Sequence, residues 1–410
     1  MISVKKAYKL LFFSLLIFPP LYVFGPFFSD LNVSICGLLC LYILIVEKKL
    51  FKSKILNYFL IWNLYLVINS LLSINPLMSL EQSLFNFRFG FFAVSFTIVY
   101  CKFDNFLNYL LKSCLLVYLF VVIDALFQFL FGFNLLGYSM NLDDGLRISG
   151  IFRDIHILGF FIAYITPIII ALILYEKNFL YNDVVLNFII FLSLVIIFIS
   201  TERMTLIFFV FNIFIISLFI KKLYFAKYLL IFSILSVSIF VVFNDKYNYR
   251  FIKQPLIQSQ QYVNFFNTSK KIFLDKPIFG VGTKNYRNVC QFEKYATYIS
   301  IDNKKRNACT THPHNFYLQL LSETGLVGTI PVIFIFIILF LNLIKLFSTN
   351  ISSKLSKLQD HSRVILITCF SILFPIFINS SFFYNYTSIL RYFIFSLILL
   401  FLYKNLTYNE

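Results

Sequence analysis

His314 is the residue most suited to move a proton in this chain. It lies in Thr311-His312-Pro313-His314-Asn315-Phe316, which ends the one long polar segment of a sequence otherwise made of apolar runs. Thr311 is predicted to cap a helix with Pro313 in its first turn, where a missing N–H costs nothing. Gly325 suits the left-handed residue just past that helix. His314 would then stand at a positive helix end, which attracts anions and disfavours imidazolium. A neutral imidazole so placed can act as a base next to a phosphate.

Arginine is the side chain for bidentate phosphate binding. Arg203 follows Ser200-Thr201-Glu202 at a helix entrance. It reads either as an interfacial anchor paired with Glu202 or as a pyrophosphate ligand. Arg147 and Arg153 flank Ser149-Gly150-Ile151-Phe152. They serve either the loop, paired with Asp143, Asp144 or Asp154, or the lining of a site. Glu323 falls near a helix C-terminus, a poor place for an anion unless a cation meets it. With His312 and Asn315 it reads as an ion pair or a site wall.

His312 and His314 alone do not make a zinc site, because no third ligand has a suitable spacing; no metal and no cofactor are expected. Gly280-Val281-Gly282 lacks the third glycine and the strand–turn–helix setting of a nucleotide fingerprint and is expected to make a tight turn. Asp124 falls within an apolar run, where a carboxylate is costly without a partner. Cys36, Cys40, Cys101, Cys114 and Cys369 lie in or beside apolar runs and are expected to pack. Cys290 and Cys309 share the polar segment and can form a disulfide if it lies outside the cytoplasm.

The elements that must position these groups follow from composition. The 410 residues are 60% hydrophobic and 13% charged, which excludes an ordinary soluble domain. About twelve runs approach the ~20 apolar residues that a span needs. The expected fold is an all-α polytopic membrane protein with spans near 9–28, 31–46, 55–73, 84–100, 106–131, 156–175, 183–200, 204–220, 227–243, 326–347, 364–380 and 384–403. Pro19-Pro20 and the lack of a small-residue cleavage site argue for a retained first helix. The net charge of +17 does not point to nucleic acid, because most lysines sit in short loops where they set topology and meet anionic lipids. With the N-terminus inside, the short outer connections hold only Arg147, Arg153 and Arg203 as cations. Three units result: an N-terminal bundle (1–243), a large outside loop (244–325) and C-terminal helices (326–410). In the loop, Leu256, Val263, Phe266 and Phe273 form an apolar stripe opposite Gln258, Gln261, Asn264 and Lys271, the pattern of an amphipathic helix lying on a membrane.

His312-Pro313-His314-Asn315-Phe316-Tyr317-Leu318-Gln319, with Glu323-Thr324-Gly325-Leu326-Val327-Gly328, resembles the signature of the O-antigen ligase and polymerase superfamily. Arg147-Ile148-Ser149-Gly150, Arg203 after Ser200-Thr201-Glu202, and Pro277-Ile278-Phe279-Gly280-Val281-Gly282 extend the likeness. The resemblance implies a glycosyltransferase at the periplasmic face of the bacterial inner membrane. It implies an undecaprenyl-pyrophosphate-linked glycan donor and a lipid A-core or glycan acceptor, with His314 activating the acceptor hydroxyl and Arg203 holding the pyrophosphate. It also implies an arginine some 15–17 residues before Pro277, where this chain has Gln260-Gln261-Tyr262; Arg250 or Arg287 is the expected substitute. Ligase is preferred over polymerase. The reading from another class is a lipid-glycan flippase or transporter, in which sites lie near mid-bilayer on broken helices, often with inverted repeats.

Overall fold

The computed structural model describes residues 3–50, 53–140, 147–176, 183–301, 304–307, 309–347, 359–377 and 380–407. The chain is predominantly helical. In order come α1 (Val4–Val23), α2 (Pro26–Val46), α3 (Lys54–Leu71), α4 (Pro76–Ser83), α5 (Phe87–Tyr100) and α6 (Phe106–Phe131). Next are α7 (Leu158–Tyr175), α8 (Asp183–Ile199), α9 (Arg203–Phe219) and α10 (Ala226–Phe243). The polar segment holds the short α11 (Asp245–Asn248), α12 (Gln254–Asp275), the short α13 (Tyr286–Val289), β1 (Tyr298–Ile301) and β2 (Lys304–Asn307). Three helices end the chain, α14 (Phe316–Phe347), α15 (Asp360–Ile372) and α16 (Asn385–Thr407).

Seven helices among the described residues are long and apolar enough to cross a membrane, and α8, α9 and Asn385–Phe401 of α16 are shorter apolar helices. α15 is only 13 residues long and stops at Ile372, short of the expected 380. α3 has the length of a span but carries Trp62, Tyr65, Asn69 and Ser70 at i, i+3, i+7 and i+8, one polar stripe on one face. That stripe meets the functional motifs, as described below. The expected purely helical fold has one exception. β1 and β2 pair antiparallel, with Tyr298 opposite Asn307, where Tyr-Ile-Ser-Ile alternates with the period of a strand.

The main core is built around α7. Its side chains from Leu158 through Ile173 are buried except Phe160, as expected of a helix apolar on all sides. A second, smaller core gathers Ile272, Val281, Tyr286, Val289, Cys290 and Tyr295, with Cys309 packed against it. It joins the inner face of α12 to the rest of the polar segment. The predicted stripe on α12 lies elsewhere: Val263 and Phe266 are exposed, while Phe265, Thr268, Ser269 and Ile272 face the protein. α12 therefore has an exposed apolar stripe beside a packed one. The buried set is four residues spaced i, i+3, i+4 and i+7, two of them hydroxylic, which is why hydrophobicity alone did not pick it out.

Cys36, Cys40, Cys114 and Cys369 are buried as expected, whereas Cys101 is exposed at the end of α5. Arg88 pairs with Asp30 at 2.6 Å. Asp124 accepts hydrogen bonds from Leu135 N (3.0 Å) and Asn134 Nδ2 (3.4 Å), so it anchors a loop inside the bundle.

Candidate active site

Two backbones cross at the centre of the signature. α14 is broken at Gly325, whose φ of 62° and ψ of −164° interrupt the helix without ending it. A break leaves carbonyls unpaired on one side and N–H groups on the other. The Pro277–Gly282 segment supplies both complements. Val281 N and Gly282 N donate to Ser322 O (3.0 Å) and Glu323 O (2.8 Å). Pro277 O and Ile278 O accept from Leu326 N (2.9 Å) and Val327 N (3.3 Å). A Cβ at Gly280 would lie 2.5–2.7 Å from backbone atoms of Glu323 and Thr324, and one at Gly325 would run into the Ile278 carbonyl. The turn expected at Gly280-Val281-Gly282 is present, with φ of +67° and +99° at its glycines. Its further role is to fill the broken helix, so the freed groups are satisfied by protein rather than left for a ligand.

The polar stripe of α3 holds this crossing. Trp62 Nε1 donates to Gly328 O (2.9 Å), Tyr65 Oη to Thr324 O (2.5 Å) and Asn69 Nδ2 to Phe279 O (2.5 Å). In α4, Ser79 Oγ donates to Thr283 O and accepts from Asn285 Nδ2. None of these residues was picked out from sequence; the i, i+3, i+7 spacing in α3 was the available signal.

His314 lies just before α14, with φ of 55°. Thr311 does not cap the helix: its hydroxyl meets His312 Nδ1 at 3.0 Å. Asn315 is the cap instead, its Oδ1 accepting from Tyr317 N (3.0 Å) and Leu318 N (3.2 Å) while its Nδ2 donates to Pro375 O (2.7 Å). A strained His–Asn step thus replaces the expected Pro-containing first turn. His314 is half-buried and makes no hydrogen bond among the described residues; its ring meets His312 at 4.2 Å, Phe265 at 5.5 Å and Tyr262 at 6.2 Å. Burial holds its imidazole below the usual histidine range. Four of the five non-glycine residues with positive φ are Arg153, Thr201, Lys284 and His314, all within or beside the signature motifs. Such strain persists only where surrounding structure imposes it.

Arg203 opens α9 and donates from Nη1 to Arg250 O at 3.0 Å. Arg250 lies in a π-helical turn, Tyr249–Lys253, that runs directly into α12. Its Nη1 meets Gln254 Oε1 at 2.6 Å, its Nε is buried without a partner among the described residues, and it forms no ion pair there. Arg203 is close enough to Arg250 and Tyr262 for both to act on it electrostatically. Two guanidinium groups brought together favour a shared anion.

Glu202 is not the partner of Arg203. Its carboxylate accepts from Gly159 N (2.8 Å), Phe160 N (3.0 Å) and Thr205 Oγ1 (3.2 Å), closing the N-terminus of α7. Desolvation raises its pKa, and Arg147 nearby opposes that shift. Arg147 thus belongs with Glu202. Arg153 is exposed and lies over the Tyr138 ring at 4.5 Å. Asp143 and Asp144, offered as its partners, lie outside the described residues.

Glu323 is buried in the crossing, accepting from Gln319 Nε2 (3.0 Å) and Tyr286 N (3.3 Å), with Arg287 and Lys284 as neighbouring cations. Cations are therefore near this carboxyl, as a helix-terminal anion requires, and Arg287 acts on it electrostatically. Cys290 and Cys309 are paired as a disulfide, with Cα atoms 5.3 Å apart. Among the described residues no group of three or more His, Cys, Asp or Glu could hold a metal ion. A cleft of about 490 Å³, lined by Phe27, Asp30, Gln82, Lys284, Tyr384 and Asn385 among others, contains none of the predicted site residues.

A family model described as O-antigen ligase matches residues 188–333. The match takes in Arg203, Arg250, Tyr262, Arg287, His314 and Glu323, and leaves out Arg147 and Arg153. No curated protein matches the chain. Family members are membrane glycosyltransferase-like enzymes, in keeping with the apolar helices of this fold. Residues 188–333 of the chain are thus similar to the O-antigen ligase family.

Proposed function

We propose that the protein moves a glycan from undecaprenyl pyrophosphate to a lipid A-core acceptor at the periplasmic face of the bacterial inner membrane. In this reading the N-terminus is cytoplasmic and about twelve helices span the bilayer, the shorter ones included. Residues 1–243 form the first bundle, 244–325 the periplasmic loop and 326–410 the closing helices. No metal or cofactor takes part.

The observation that carries this reading is an imidazole without a hydrogen bond among the described residues, packed on α12, the helix whose leading turn joins Arg250 to Arg203. His314 takes the proton of the acceptor hydroxyl as its oxygen attacks the anomeric carbon. The bond from that carbon to the pyrophosphate oxygen breaks, and the leaving diphosphate keeps the electron pair beside Arg203 and Arg250. Direct displacement inverts the anomeric centre. Pyrophosphate is already a good leaving group, so positioning, charge neutralisation and one proton transfer suffice.

A deletion strain tests the assignment. Long glycans accumulating on the carrier lipid, with bare core, are the expected result. Lipopolysaccharide bearing single unpolymerised repeats would make the protein an O-antigen polymerase instead. The disulfide follows from the same topology: closing a loop across 19 positions contributes about 3 kcal/mol. Alkylation of Cys290 and Cys309 in unreduced, denatured protein would exclude it.

A further inference from the structure

The cleft of about 490 Å³ has no part in the proposed transfer, yet its lining is chemically specific. It lies where two long helices begin: Pro26 and Phe27 open α2, and Asn385 and Tyr386 open α16. Lys284 reaches it from the loop that follows Gly282, and Gln82 from α4. A cleft of this size suits one small ligand or headgroup.

Its charges do not cancel. Asp30, the one carboxylate in the lining, is taken by Arg88 at 2.6 Å. The ammonium of Lys284 makes no hydrogen bond or ion pair among the described residues, and Glu81 and Glu323 act on it only at longer range. Lys284 is also held at a φ of 61°, a conformation that persists only where the surroundings impose it. Both helix starts add positive potential. At α2 the N-cap is Gly25, which offers no side-chain oxygen to the first N–H groups. Gln82, only 3% exposed, donates from Nε2 to Asn385 Oδ1 at 2.9 Å. Either orientation of that amide pair leaves one donor and one acceptor without a partner among the described residues. The lining thus matches an anion that also carries a hydroxyl.

What the anion is attached to follows from α2. Phe27 and Leu31 line the cleft and are exposed, and the exposed Ile35 and Leu38 continue them along one face. An apolar track about three turns long therefore leads from the cleft along a helix long and apolar enough to cross a membrane. A soluble anion makes no use of such a track, whereas an acyl chain does.

We infer that this cleft binds the headgroup of an anionic phospholipid, with Lys284 on the phosphate, Gln82 and Asn385 on the phosphate and a headgroup hydroxyl, and an acyl chain along the exposed face of α2. Basic pockets between membrane helices recognise phosphorylated headgroups in this way. The inference is independent of the transfer proposed above. A lipid so placed joins α2 and α16 to the loop that fills the break in α14, and it stabilises the folded chain by mass action.

The test uses the full chain in detergent, read by native mass spectrometry and by melting temperature. The probes are phosphatidylglycerol and phosphatidylcholine with matched acyl chains. The wild type is expected to retain phosphatidylglycerol and to melt higher as it is added, with little response to phosphatidylcholine. Lys284→Gln is expected to weaken phosphatidylglycerol binding by about tenfold, and Lys284→Arg to keep it. Lys345→Gln, at the far end of α14, removes a cation outside the cleft and should bind as the wild type does. Equal retention of both lipids by the wild type, a result that needs no variant to fold, would overturn the inference. Equal weakening by Lys284→Gln and Lys345→Gln would also overturn it, reducing the effect to general surface charge. Glycerol phosphate displacing the phospholipid at comparable concentration would make the site one for a soluble anion. Undecaprenyl monophosphate binding there in preference would make it one for the carrier lipid, and either result ends the phospholipid reading.

Discussion

The signature motifs serve two regions built in opposite ways. Where Pro277–Gly282 crosses the break in α14, backbone meets backbone, each glycine allows a close approach, and α3 and α4 add further bonds. At the other region polar atoms are left without a hydrogen bond among the described residues: the ring nitrogens of His314 and Nε of Arg250. A membrane protein cannot leave backbone groups unpaired in the hydrocarbon region, since each costs several kcal/mol. It can leave polar side chains unpaired where a polar substrate will meet them. Motif residues of the first kind hold the frame, and those of the second kind are free to do chemistry.

Gly325→Ala should have the largest effect. It puts a Cβ into the Ile278 carbonyl at a positive φ and should cost more than about 3 kcal/mol. The expected outcome is loss of monodisperse protein in detergent size-exclusion profiles, with Gly280→Ala behaving similarly. His314→Ala should do the reverse, removing at least ~100-fold of transfer while the melting temperature holds. A stable Gly325→Ala protein, or an unfolded His314→Ala one, would erase the distinction between frame and site.

Arg203→Lys comes next. Lysine keeps the charge but loses the planar fork, and its reach to the Arg250 carbonyl differs. Transfer should fall by about 10-fold to 100-fold, measured in reconstituted membranes with lipid-linked donor. The pH profile sharpens the same point. Burial lowers the His314 pKa, so the ring stays neutral, and basic, to more acidic pH than an ordinary imidazole. Transfer should be lost only as pH falls through that lowered value, beneath the ~6.5 of free histidine. The sign for stability is the same: the folded state binds the proton less readily than the unfolded chain, so acidification disfavours folding. An acid limb above ~6.5 in the wild type would mean that the observed base is not this buried ring.

The sequence was most informative where apolar runs and one compact motif acted alone. The order of the apolar helices, a helix ending at Asp275, the turn at 280–282 and the placement of His314 at the N-terminal end of a helix, though not its cap, were readable. What it could not give were partners distant in the chain. Glu202 next to Arg203 reads as its ion-pair partner, yet its carboxylate closes α7 instead. Arg287 reads as a substitute phosphate ligand, and nothing in its local sequence marks Glu323 as a carboxyl on which it acts electrostatically. Asn315 is at least as good a cap as Thr311 by propensity, so the Pro313 that follows Thr311 was the misleading signal. Contacts distant in sequence fix the choice: Asn315 Nδ2 donates to Pro375 O and Tyr317 Oη to Leu373 O.

Asn315 lies on the boundary between the two regions, and its substitution gives the smallest and most discriminating effect. Its oxygen completes the helix that belongs to the frame, and its amide nitrogen ties that helix to Pro375 O. Its neighbour His314 belongs to the proposed site. Asn315→Asp keeps the acceptor, which a helix N-terminus favours as an anion, and loses only the tether. Asn315→Ala loses both, at about 1 kcal/mol for the cap. If frame and site are separable, Asn315→Asp should melt near the wild-type temperature and transfer more slowly, because the His314 backbone is less firmly held. Asn315→Ala should be impaired in both respects. A variant pair in which stability and transfer fall strictly together would mean that positioning His314 is part of folding itself.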